Sequence, residues 1–73
     1  MYAVLMYEYL DGDSPLVGVR KFASEERAEV FASWVCGVEV PYQDRGAVVS
    51  LACVWECDAQ GNLVRATGEE WEG

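Results

Sequence analysis

The chain is predicted to be a single two-layer α+β domain in the order β-β-α-β-β, a four-stranded antiparallel sheet with one helix on one face. Three observations lead there. Strand-length apolar runs occupy residues 2–10, 16–21, 47–57 and 62–67, a single stretch over 25–36 repeats its apolar residues at helical spacing, and Asp-, Gly-, Pro- and Ser-rich turns separate them.

Residues 2–10, YAVLMYEYL, are aromatic and aliphatic nearly throughout and predict a central strand. Asp11-Gly12-Asp13-Ser14-Pro15 is dense in turn formers and returns the chain as LVGVRK over 16–21. Pairing Leu10 with Leu16 puts Leu5, Tyr7 and Tyr9 on one face with Val17 and Val19. Ser24 is a good N-cap, and Glu25 and Glu26 suit the positive end of a helix dipole. Ala28, Phe31, Ala32 and Val35 recur at i, i+3, i+4 and i+7, and Gly37 marks the stop. Val30 and Trp34 form a second pair beside this stripe, read first as a widening of the buried face and second as an exposed contact patch.

Residues 38–46 are expected to be a loop, and AVVSLACVWEC over 47–57 the longest strand. Asp58-Ala59-Gln60-Gly61 fits a type I turn, after which 62–67 pairs back with Cys57 opposite Asn62. The side carrying Leu51, Cys53 and Trp55 is then the oily one, and Ala28, Phe31 and Val35 are expected to pack on Leu5, Tyr7, Leu51 and Trp55. A right-handed crossover through the helix gives the sheet order 2-1-3-4. The tail at 68–73, GEEWEG, is expected to be flexible.

Seventy-three residues form one small domain that needs a dense core, and a 52% hydrophobic content supplies it. The charge balance is unusual: 13 acidic against 5 basic side chains, net −8. Such a surface repels nucleic acid and anionic membranes and attracts basic surfaces, although solubility alone accounts for the same number. Cys36, Cys53 and Cys57 have no framework spacing. Cys53 and Cys57 share a face roughly 13 Å apart at about 3.3 Å per residue, too far for a disulfide. The three are expected to be free thiols in a reducing cytoplasm. No signal pattern or membrane-spanning run is present in the sequence.

Enzymatic chemistry finds little footing. No histidine is present, which removes the usual general base and the commonest transition-metal ligand. No phosphate-binding glycine motif precedes the helix. Asp11 and Asp13 are spaced for a carboxylate pair, but so small a fold offers little cleft to tune them. A calcium loop starting at Asp11 lacks the glycine at its sixth place and has Phe22 at its twelfth. The expectation is a non-enzymatic protein with no catalytic, cofactor or metal site. The five basic residues form no stripe with the aromatics, so direct nucleic-acid binding is not expected.

The predicted topology gathers acids at one end of the sheet. Glu8, Asp11, Asp13, Glu39, Asp44, Glu69, Glu70 and Glu72 fall there against Arg45 alone, with Tyr9, Tyr42 and Trp71 as aromatic neighbours. These carboxylates, with Tyr42 and Trp71, are the candidate partner-binding residues, since Tyr and Trp beside charge make good interface anchors. The simpler alternative is that loops are polar and Tyr42 covers the core edge.

A hairpin-helix-hairpin this small, acidic and without catalytic groups resembles the phage-encoded inhibitor proteins of the anti-CRISPR type. The resemblance spans the chain in size, charge and predicted topology and involves no shared motif. It implies a cytoplasmic protein of a bacterial host that acts as a DNA mimic, occupying a basic nucleic-acid- or PAM-reading site on a CRISPR surveillance complex subunit. The alternative is a small assembly protein that homodimerises through a sheet face of Val4, Met6, Val48, Ala52 and Val54, or through Val30 and Trp34.

Overall fold

The computed structural model describes Met1–Gly73. Its elements are β1 (Tyr2–Tyr7), β2 (Leu16–Phe22), α1 (Glu25–Val35), β3 (Glu39–Tyr42), β4 (Arg45–Val48), β5 (Leu51–Cys57) and β6 (Leu63–Glu72). A four-stranded antiparallel sheet runs β2-β1-β5-β6, and β3 and β4 form a separate two-stranded sheet. The expected order 2-1-3-4 is therefore corrected: the segment at 38–46 is not a loop, and it contributes most of an extra hairpin.

That hairpin lacks the usual sequence advertisement. Its turn is Gln43-Asp44, and Gln43 adopts φ 56, a left-handed conformation more often given to Asn or Gly. The expected single strand at 47–57 breaks at Val49-Ser50 because the chain changes partners there. Val49 exchanges backbone bonds with Gly37 and Val38, whereas Ser50 N–H donates to Tyr7 O at 2.8 Å.

The helix starts where the sequence places it. Ser24 Oγ accepts from Arg27 N at 3.2 Å, and Glu25 and Glu26 lie in the first turn. It ends at Val35, with Cys36 as an extended C-cap, one residue short of expectation.

Its packing face is reversed from expectation. Ala28, Ala32 and Val35 cover Val4, Met6, Ala52 and Val54, and Ala47 and Val49 close the same cluster. Small residues on both surfaces let the two layers approach closely. Phe31 sits half-buried on the flank of this core rather than on Leu5 and Trp55. Leu5, Tyr7, Leu51 and Trp55 belong to the opposite face, which no helix covers. Ala3, Leu5 and Cys57 are nonetheless buried there, with Tyr7 and Trp55 packed against them. Lys21 reaches along this face to donate to Gly61 O at 2.9 Å.

Both registers also differ. Leu5 faces Val19 and Tyr7 faces Leu16, while Leu10 bridges to Asp13 instead of Leu16. A bulge between these pairs turns Val17 into the helix-side core, away from the face it was expected to share with Val19. Cys57 faces Leu63 rather than Asn62, and Trp55 faces Ala66. The tail continues β6 as far as Glu72: Glu70, Trp71 and Glu72 pair with Cys53, Ala52 and Leu51. Gly73 N–H donates to Ser50 O at 2.9 Å.

Candidate functional site

The acids expected at one end divide into five groups. Asp11 and Asp13 occupy the exposed β1–β2 turn, where Asp13 Oδ1 accepts from Ser14 N at 2.8 Å. Glu39 and Asp44 line a shallow hollow of about 480 Å³ along the β3–β4 hairpin. Glu70 and Glu72 lie on the helix-free sheet face, opposite Cys53 and Leu51. Glu69 lies away from that end, close enough to Glu29 on α1 to help hold the Glu29 carboxyl above its usual range; burial is the larger cause, and Glu25 and Glu26 add to it.

Glu8 belongs to the structure rather than to an open surface. It is 9% exposed, and its carboxylate takes Arg45 Nη2 at 2.7 Å and Val48 N–H at 3.1 Å. The Arg45 hydrogen bond is the main cause of its lowered pKa. Arg45 also lies 5.3 Å from the Tyr42 ring centroid, so the one arginine near the acidic turns is held by Glu8 and Tyr42. Trp71 faces the helix side, half-buried against the core, and its carbonyl accepts from Cys36 Sγ. Of the expected aromatic anchors, Tyr42 and Trp71 are thus both half-buried by packing.

A second arrangement went unread in the sequence. The helix-free face holds a hollow of about 250 Å³ walled by Tyr7, Leu51, Trp55 and Ala66. Cys53, Glu70 and the 68–69 segment of β6 also line it. β6 makes this hollow by bulging. Cys53 faces Glu70 and Trp55 faces Ala66, so Thr67, Gly68 and Glu69 stand opposite Val54 alone. Gly68 takes φ 89, and Thr67 Oγ1 donates to Val54 O at 3.0 Å while accepting from Glu69 N at 3.2 Å. The glycine inside an alternating segment was the available sequence signal.

No protein-family model, curated protein or solved structure matches this chain.

Cys53 Sγ lies 3.8 Å from Glu70 Oε2, with the thiol as donor. Burial first, and then Glu70, push the Cys53 thiol up. Tyr9 is shifted the same way by desolvation, then Glu72, Cys53 and Glu70. This corner of the open face is accordingly crowded with negative charge, and Arg20 lies on the other side, near the Phe22 and Phe31 rings. Val30 and Trp34, first read as buried, are 63% and 64% exposed. Trp34 packs tilted against Phe31 at 5.9 Å between ring centroids, and Phe31 lies 5.2 Å from Phe22. No group of three or more His, Cys, Asp or Glu side chains gathers as a metal cradle. The helix is not long and apolar enough to cross a membrane.

Proposed function

We propose that the protein is a non-enzymatic binding protein whose acidic surface covers a basic nucleic-acid-binding surface on another protein. This is the mode of several acidic members of the phage-encoded, anti-CRISPR-type inhibitors, which it resembles in size and charge and which act in the cytoplasm of a bacterial host. The observation that carries the reading is the lack of internal charge compensation. Ion pairs hold only Glu8 and Glu56 among the 13 acidic side chains. With Arg45 held by Glu8, Asp11, Asp13, Glu39 and Asp44 have no basic partner within 4.0 Å. Exposed carboxylates in excess raise the on-rate toward a basic surface and weaken binding as salt rises.

Two triple variants test the proposal against the partner recovered by pull-down from bacterial lysate. Asp11→Lys, Asp13→Lys and Asp44→Lys reverse charge at the two turns; Glu25→Lys, Glu26→Lys and Glu29→Lys reverse it on the helix. Lost association in the first set alone supports a binding surface at the turns. Equal losses point to long-range charge without a defined surface, and loss in the second alone moves the surface to the helix.

The exposed Val30 and Trp34 favour a second reading, a homodimer through the helix. The sheet face of Val4, Met6, Ala52 and Val54, first considered for that role, lies beneath the helix and is not free to dimerise. A salt-insensitive dimer by light scattering that Trp34→Glu dissociates would support it.

A further inference from the structure

We propose that the hollow on the helix-free face receives an arginine side chain from the basic partner. The proposal rests on the reading above and names where that partner is gripped. About 250 Å³ is below the range of about 300–1,000 Å³ of drug-sized ligand sites and suits one long side chain. The lining combines two chemistries that guanidinium satisfies together. Trp55 and Tyr7 offer aromatic surface, on which a planar, weakly hydrated cation stacks. Glu70, opposite Cys53 on this face, offers a carboxylate whose two oxygens accept paired N–H donors. A neutral apolar occupant would strip water from the Glu70 carboxylate and return no hydrogen bond.

The cradle is held in place before anything binds. The Thr67 hydroxyl fixes the bulge from both sides, and the Cys53 thiol lies against Glu70. The crowding of Tyr9, Cys53, Glu70 and Glu72 marks a corner short of positive charge. A second copy of this chain fits poorly, because each copy carries −8 and two such faces repel. Nor does the chain supply its own cation: Arg45 and Arg65 are held by Glu8 and Glu56, Arg20 lies near Phe22 and Phe31, Arg27 belongs to α1, and Lys21, on this face, donates to Gly61 O.

The test is a titration of ¹⁵N-labelled protein with hexaarginine and hexalysine peptides at low salt. The expected result is saturable shifts of the Trp55 indole N–H and the amides of Cys53 and Ala66 through Glu70, with Trp34 unmoved. Hexaarginine should bind about five-fold tighter than hexalysine, since only guanidinium matches the flat, two-pronged site. Glu70→Gln and the hollow-filling Ala66→Phe should each weaken hexaarginine about ten-fold. Asp11→Asn, with the same charge change as Glu70→Gln, should weaken it less than two-fold. Equal losses in Glu70→Gln and Asp11→Asn, or equal binding of the two peptides, would overturn the hollow while leaving the basic-partner reading intact. Absence of binding by either peptide would overturn both.

Discussion

Val54→Ala tests which face of the sheet the helix covers. Val54 is 1% exposed, in one cluster with Val4, Ala28 and Ala32. The substitution deletes two carbons at about 0.8 kcal/mol each in lost burial. The void adds about 24 cal/mol per Å³, because an alanine-lined contact has little slack with which to collapse. The expected loss is about 2–3 kcal/mol, out of roughly 4–11 kcal/mol for a domain of this size. Leu51→Ala deletes three carbons, but Leu51 is half-buried on the helix-free face, and its loss should be only about 1 kcal/mol. Urea melts followed by far-UV circular dichroism measure both, with an unchanged slope against denaturant as the sign of an intact two-state transition. A Leu51→Ala loss exceeding that of Val54→Ala would place the helix over the wrong face and refute the packing.

Further outcomes follow from other parts of the molecule. Thiol counting on denatured protein purified without reductant should find all three cysteines free. In the native state Cys57 should label slowest because it is buried, and burial-raised pKa values should keep Cys36 and Cys53 sluggish near neutral pH. Glu8 is held low chiefly by Arg45, so its contribution to stability is present above the unfolded-state pKa, near about 4.3, and fades as pH falls through the lower folded-state value. Glu8→Gln should flatten that acid limb of stability against pH. Glu29 is raised, chiefly by burial, so its charge opposes folding above the folded-state pKa and this penalty vanishes on acidification. Glu29→Gln should therefore raise the melting temperature at pH 7 and leave it unchanged at pH 3. Gly68→Ala meets no neighbouring atom, yet φ 89 makes it cost about 1 kcal/mol or more and should perturb the Trp55 indole resonance.

What was legible in the sequence is explained by period and punctuation. Ser24 with Glu25 and Glu26 announces the helix, and the turn-formers at 11–15 and 58–61 announce two hairpins. Asp58 Oδ1 accepts from both Gln60 N and Asn62 N at 2.9 Å, as a turn aspartate should. The choice of face was not legible, because Tyr2–Tyr7 and Leu51–Cys57 are apolar on both sides. Alternation then sorts residues into two sets without saying which set meets the helix. The larger side chains suggested one answer; close approach through Ala28, Ala32 and Ala52 gives the other. The strand at the tail was masked by its charge. Its glutamates alternate with Trp71, and that period of two was the strand signal that its polarity concealed. The hollow needs a bulge between two non-adjacent stretches, a relation that no local window contains.

The seam between β1 and β5 has a kinetic meaning. Each outer pairing closes locally, β2 on β1 and β6 on β5, whereas the central one joins Tyr2 to Glu56 and Tyr7 to Leu51, from opposite halves of the chain. Chain-closure entropy must be met before this pairing returns any burial, so the seam sets the pace of folding. Substitutions at Val4 or Ala52 should mainly slow refolding, and those at Leu63 or Val19 should mainly hasten unfolding. A chevron series across these four positions would show the molecule assembling as two preformed ribbons that meet last along their most apolar edges.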